Sequence, residues 1–186
     1  MNFRDNHIPK EFYSTLSDKP IENCIKCEKY LLDEDTIYFV EKAIKNNEVE
    51  FEYAICAECA EKMKGTMSEE SLTNMESYFK KNSNIKQYQE KLLLEDELSI
   101  NDFIGNCIVT GNDLKSTDEY QLVGVFEGKH IYPDAIPFAI SFEATEKINQ
   151  LLSKQTKDEM DGFIDDFIGI PPDWREVIKT NKPVLI

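Results

Sequence analysis

Four cysteines in two C-x2-C pairs constrain the fold of this chain more than any other feature. Cys24 and Cys27 form the first pair, Cys56 and Cys59 form the second, and 28 residues separate the two pairs. Four thiolates at such spacings are typical of a tetrahedral structural zinc site, in which sulfur occupies every coordination position. We therefore predict that these four cysteines bind one structural Zn²⁺. The alternative is a set of redox-active pairs or scattered core thiols.

The composition indicates an acidic protein of the cytoplasm. The chain has 21 Lys and Arg residues against 36 Asp and Glu residues, a net charge of -15 over 186 residues. A surface this negative repels phosphate backbones, so nucleic-acid binding is disfavoured. The first residues lack the apolar run of a signal peptide, and no segment approaches the roughly 18 apolar residues that cross a bilayer. In the reducing cytoplasm, paired cysteines are more often metal ligands than disulfides.

The second half of the chain resembles the first. Residues 53–63 read YAICAECAEKM and residues 138–148 read FAISFEATEKI, and Ala, Ile, Glu, Glu and Lys recur in place. Two further matches flank this block, residues 23–25 with 106–108 and residues 67–79 with 152–164. Self-similarity of this length is a signal about the whole fold, and we interpret it as a duplicated unit of about 60 residues.

The alignment indicates that the second unit has lost its metal ligands. The four cysteines align, in order, with Cys107, Thr110, Ser141 and Ala144. One thiol with two hydroxyl groups is a poor zinc site, so we expect the second unit to fold without metal. Phe142, which aligns with Ala57, is expected to replace part of the lost cross-link by apolar contact.

The sequence predicts a β-hairpin followed by helices in both units. Residues 35–40 and 49–55 are rich in β-branched and aromatic side chains and predict the first hairpin. In the second unit, residues 120–126 and 130–132 predict strands, and Pro133 and Pro137 should shorten the last one or place it on an edge of the sheet.

The helices are expected to follow the second cysteine pair and its counterpart. One helix should begin at Cys56 and end near Gly65. Ser68 and Ser153 are predicted N-caps of the next helix in each unit. The apolar residues spaced three and four apart in these helices should line the core, and they are Met75, Tyr78, Phe79, Met160, Phe163 and Ile164.

A cysteine turn, a hairpin and a helix that carries the second cysteine pair resemble the treble-clef group of zinc domains, with zinc ribbons as a variant. The resemblance covers Cys24 to about Lys64 and, in degenerate form, Cys107 to about Leu152. It implies an α+β fold of two tandem treble-clef-like units, and it implies no particular activity. Knuckles of this group commonly have Gly directly after the second cysteine. That position is Glu28 in the first unit and Gly111 in the second.

The predicted organisation has five parts. They are an N-terminal helical arm (1–22), the zinc-binding unit (23–83), a helical connector (84–105), the metal-free repeat (106–168) and a C-terminal helix and tail (169–186). The connector contains no Gly/Ser linker, so the two units are expected to pack together.

No residue set reaches a catalytic signature, so we predict no catalytic residues. The sequence has no P-loop, nucleophile elbow or H-E-x-x-H motif. His130 and Asp134 could form an acid–base pair, with Asp118, in a site between the units. A lone thiol such as Cys107 is usually a small buried hydrophobic group.

The leading interpretation is a non-catalytic, zinc-stabilised acidic protein that binds another protein with a basic surface. The alternatives are an inhibitor or immunity-type protein for a basic partner, and an enzyme with its site between the repeats. Nucleic-acid binding is suggested by the fold group and opposed by the charge. The sequence leaves open the identity of the partner, the pathway and the oligomeric state.

Overall fold

The computed structural model describes residues 7–94, 98–133 and 135–167, which form a mixed α+β fold. Its strands are β1 (Tyr13–Ser14), β2 (Lys19–Pro20), β3 (Ile37–Lys45), β4 (Glu48–Cys56), β5 (Glu119–Glu127), β6 (His130–Ile131) and β7 (Phe138–Ser141). Its α-helices are α1 (Ala57–Thr66), α2 (Glu69–Asn82), α3 (Ile85–Leu94), α4 (Asn101–Ile104), α5 (Phe142–Leu151) and α6 (Lys154–Asp165). None of these helices is both long and apolar enough to span a bilayer.

One antiparallel sheet joins the two halves of the chain. Its strand order is β4-β3-β5-β6, and β7 also pairs with β5. The central strands β3 and β5 pair along their whole length, with Glu41 opposite Val123 at the middle. The hydrophobic core is correspondingly continuous, because one cluster of buried side chains includes residues from both halves.

The predicted first hairpin is confirmed, and the second is modified by its prolines. Strands β3 and β4 are nine residues each and pair antiparallel. Strand β6 has only two residues before Pro133. The sequence pattern did not identify β7, which takes the rest of the edge of β5 that β6 leaves uncovered.

Helix α5 and the end of α6 approach one face of the sheet, and contacts between helices cross between the halves. Helix α1 of the first half packs against α6 of the second, and α2 packs against α5. The ring of Phe167, just after α6, lies 5.7 Å from the ring of Tyr53 on β4. The buried hydroxyl of Tyr53 in turn donates a 2.7 Å hydrogen bond to Glu41 on β3.

The N-caps predicted at Ser68 and Ser153 are confirmed, and they also bind each other. Each serine side chain accepts a hydrogen bond from a backbone N–H in its own helix. The N–H of Ser68 donates to Thr156 Oγ1 and the N–H of Ser153 donates to Ser71 Oγ, both at 2.9 Å. The two serine hydroxyls are 3.0 Å apart. The first turns of α2 and α6 are therefore fastened to each other by reciprocal bonds.

The N-terminal segment lies on the other face of the sheet and differs from the predicted helical arm. In residues 7–22 the structure has a 3-10 turn at Lys10–Phe12, followed by β1 and β2. The ring of Phe12 lies 5.2 Å from that of Phe126. A Cβ at Gly124 would come within 2.9 Å of the Phe12 ring, so this close approach requires glycine.

Two charged side chains of the sheet bond to the backbone of this segment. Lys42 and Glu52 are opposite each other on β3 and β4 and form an ion pair at 3.0 Å. Lys42 Nζ also donates to the carbonyl of Tyr13. The Thr15 N–H donates to Glu52 Oε1 at 2.8 Å. Sheet side chains thus satisfy two backbone groups of the segment and dock it on the paired strands.

We predict that Glu52→Gln destabilises the protein by about 3–5 kcal/mol, because it leaves the buried Lys42 charge without its partner. Urea unfolding measures the change. Glu48→Gln, at an exposed position on the same strand, is the control and should change stability by less than about 0.5 kcal/mol. Equal stability of the two variants would contradict the prediction.

The same ion pair predicts a pH dependence. Burial by itself would raise the pKa of Glu52, but the hydrogen bond and charge of Lys42 outweigh it and lower the pKa below 4.5. The stabilisation is therefore present above pH 4.5 and is lost as the pH falls through the lowered pKa. Between pH 5 and 3 the wild type should lose more stability than Glu52→Gln does.

Candidate metal centre

The four predicted cysteine ligands meet at one point. The Sγ atoms of Cys24, Cys27, Cys56 and Cys59 all lie within 4.8 Å of one another. The Sγ atoms of Cys27 and Cys56 are 3.7 Å apart. Sulfur atoms on a tetrahedron around zinc, at about 2.3 Å from the metal, would be about 3.8 Å apart. The spacing therefore fits a shared metal ion, and it is too long for a disulfide bond.

The first pair lies in a tight turn that backbone bonds hold in place. The N–H of Glu28 donates to the Cys24 carbonyl at 2.9 Å, and the N–H of Cys24 donates to the Lys29 carbonyl at 2.9 Å. Glu28 has a positive φ of 59°, the conformation for which knuckles commonly use glycine. The N–H of Ile25 donates to the Ala54 carbonyl, which docks the turn on β4.

The second pair lies where β4 becomes α1. Cys56 is the last residue of β4 and the N-cap of α1, and Cys59 is in the first helical turn. The free N–H groups and the macrodipole of this turn favour negative sulfur. The N–H of Cys56 itself points at Cys24 Sγ at 3.4 Å. Cys24, Cys56 and Cys59 are buried, whereas Cys27 is exposed.

The thiols of the cluster differ in acidity. Burial is the main cause that raises the pKa of Cys59 to about 11, and it raises that of Cys56 further. Burial would also raise the pKa of Cys24, but the hydrogen bonds that its sulfur accepts, from the backbone of Cys56 above all, lower it. At neutral pH the metal-free cluster therefore keeps protons on Cys56 and Cys59.

Cys107 occupies the corresponding turn of the second half without other thiols. Its buried sulfur accepts hydrogen bonds from the N–H of Thr110 at 3.4 Å and from the N–H and hydroxyl of Ser141 at 3.3 and 3.4 Å. The two bonds from Ser141 tie this turn to the start of α5. The expected apolar contact of Phe142, which is half-buried, stays a prediction.

Two of the residues proposed for an enzymatic site, His130 and Asp118, lie far apart. His130 is on β6, opposite Glu127 at the far end of β5, where its ring lies 4.9 Å from that of His7. Asp118 precedes the other end of β5. Eight residues of strand between these ends span roughly 27 Å, too far for an acid–base pair. Asp134 lies outside the described residues.

Two lysines near the cluster were not singled out by sequence reasoning. Lys29 forms a 2.8 Å ion pair with Glu58 in the first turn of α1. Lys26, between the first two cysteines, reaches Asp166 beyond α6 at 2.8 Å. No sequence signal pairs residues 140 positions apart, so only the fold reveals the second contact.

Comparisons with models of protein families, with curated proteins and with solved structures found no match to this chain. The proposed function therefore rests on the chemistry of the cysteine cluster.

Elemental analysis should find about one zinc per purified chain, because four thiolates complete one tetrahedral shell. Cys27→Ser should remove most of the metal. Cys107→Ser is the matched control and should retain it, since Cys107 lies in the other turn. A ratio near two, or metal loss in Cys107→Ser alone, would contradict the assignment.

Zinc binding should release protons from the metal-free protein. Because Cys56 and Cys59 are protonated at neutral pH, at least about two protons should be released per zinc at pH 7. A pH indicator in weakly buffered solution measures the release, and acidification should displace the metal. Binding without proton release would show that these thiols are not ligands.

Proposed function

We propose that this chain is a non-catalytic protein in which Cys24, Cys27, Cys56 and Cys59 hold one structural Zn²⁺, and that it acts by binding another protein. The observation that carries this proposal is the four-sulfur cluster, whose atoms lie within 4.8 Å of one another. A metal bound by four cysteines has no coordination position left for water or substrate, which is the arrangement of structural rather than catalytic zinc.

The position of the cluster also supports a structural role. Two ligands come from the turn before the sheet and two come from the junction of β4 and α1. A metal ion there cross-links segments about 30 residues apart in sequence. Closing a loop of this length lowers the conformational entropy of the unfolded chain and so stabilises the fold.

We propose further that the chain contains two treble-clef-like units that arose by duplication. Matched hydrogen bonds support this. Asn23 and Asn106 each donate a side-chain bond to a carbonyl five residues ahead, in Glu28 and Gly111, at 3.1 and 3.0 Å. The N–H after each first cysteine, in Ile25 and Ile108, donates to Ala54 and Ala139 respectively.

The negative net charge of the chain supports the proposal that its partner is a protein with a basic surface. Acidic residues exceed basic ones by 15, and an ion pair uses one of each, so internal pairing leaves this excess unchanged. Such a surface attracts basic proteins rapidly and in a salt-sensitive way, and it repels nucleic acids. An inhibitor of a basic protein is one form that this function would take.

A pull-down tests the proposed partner binding, with the zinc-loaded protein as bait in a nuclease-treated lysate of the cells that naturally produce it. It should capture a protein with a basic surface, and a rise from 50 to 300 mM salt should weaken the isolated complex about tenfold or more. Bait carrying Cys27→Ser should capture less, because its turn is no longer cross-linked. Binding that is insensitive to salt, or binding to nucleic acid instead, would contradict the proposal.

A further inference from the structure

The zinc-binding turn reaches across the molecule to the end of α6 through one side chain. Lys26 lies between Cys24 and Cys27, and its Nζ is 2.8 Å from Asp166 Oδ2. The same Nζ donates to the carbonyl of Phe163 at 3.3 Å and lies 4.4 Å from the centre of the Phe163 ring. Lys26 thus makes an ion pair, a hydrogen bond and a cation–π contact with one short stretch of the second half.

These contacts add to the cap at the C-terminal end of α6, where the N–H of Phe167 donates to the Ile164 carbonyl at 3.0 Å. Phe163 is in the last turn of α6, where carbonyl groups have no partner within the helix. A positive charge at a helix C-terminus is favourable, yet the last turn of α6 contains no basic residue. Lys26 supplies that charge from the other half of the chain, with a side chain that is only 19% exposed.

Two of the proposed metal ligands, Cys24 and Cys27, flank Lys26 in this turn. Cys24 and the next residue are anchored by backbone bonds to β4, through the N–H of Cys56 and the carbonyl of Ala54. Cys27, on the other side of Lys26, is exposed, and its sulfur approaches Cys56 at 3.7 Å. Metal binding would fix Cys27 to the junction of β4 and α1. Loss of the metal would leave that side of the turn held only by the backbone bonds of Cys24 with Glu28 and Lys29, so the backbone of Lys26 would be less restrained.

We propose that Lys26 links metal occupancy of the cysteine cluster to the stability of the C-terminal end of α6, so that zinc loss in the first half loosens this helix end in the second. This inference rests on the proposed metal binding. It makes the helix end a structural reporter of metal loss, such as removal of the ion by a chelator.

Hydrogen exchange of the full chain, followed by mass spectrometry, tests the link. Removing zinc with a chelator should speed exchange of the α6 amides from Met160 to Asp166 by about fivefold or more. Lys26→Met keeps the apolar stem and removes the charge. With zinc bound, this variant should already show the faster exchange, and chelation should add little to it.

The matched control is Lys29→Met. Lys29 belongs to the same turn and forms an ion pair of the same length, but its partner is Glu58 of α1 rather than α6. This variant should behave as the wild type in α6. Peptides from α5 report any general loosening.

Metal content, measured on each sample, separates the two proposals. If the wild type binds no zinc, the metal proposal fails whatever α6 does. If zinc binds and Lys26→Met leaves α6 exchange unchanged, or if Lys29→Met changes α6 equally, the link is wrong. If chelation unfolds the whole chain, the zinc-loaded Lys26→Met sample still shows whether Lys26 stabilises the end of α6.

Discussion

The antiparallel pairing of β3 with β5 determines how the other elements of the molecule meet. The strands come from different halves and pair from Ile37 opposite Glu127 to Lys45 opposite Glu119. Because they run in opposite directions, the helices that follow each hairpin cross over, α1 against α6 and α2 against α5. This crossing brings the first turns of α2 and α6 into hydrogen-bond contact. It also brings the end of α6 to the cysteine turn, so each half completes the packing of the other.

The turns at residues 24–28 and 107–111 contain the same unusual backbone conformation, which each half stabilises in a different way. Both place a positive φ one residue after the second ligand position, 59° at Glu28 and 73° at Gly111. That conformation costs about 1–2 kcal/mol for a residue with a side chain, and glycine adopts it without this cost. In the first half, metal ligation would offset the cost. In the second, Gly111 avoids it and hydrogen bonds to Cys107 hold the turn.

Features set by neighbouring residues could be predicted from the sequence, and features set by distant contacts could not. The spacing of the cysteines identified a cluster that the fold assembles, and Ser68 and Ser153 were identified as N-caps by the ordinary preference of helix starts. The conformation of the N-terminal segment could not be predicted, because its bonds to Lys42 and Glu52 depend on the paired strands β3 and β4. Likewise, the register of β3 against β5 could not be predicted, because the strands are far apart in sequence and no hairpin turn joins them to set it.

In the proposed function, recognition of the partner depends on charge rather than on an apolar patch. The large exposed apolar side chains among the described residues are Leu16, Tyr30, Leu94 and Tyr132. Leu16 lies between β1 and β2, whereas Leu94 ends α3, so they belong to separate elements. Scattered apolar residues of this kind are normal on a monomer and define no docking site. Association with a basic partner would therefore draw its rate from the net charge, and its specificity from where the rigid sheet and helices place the individual carboxylates.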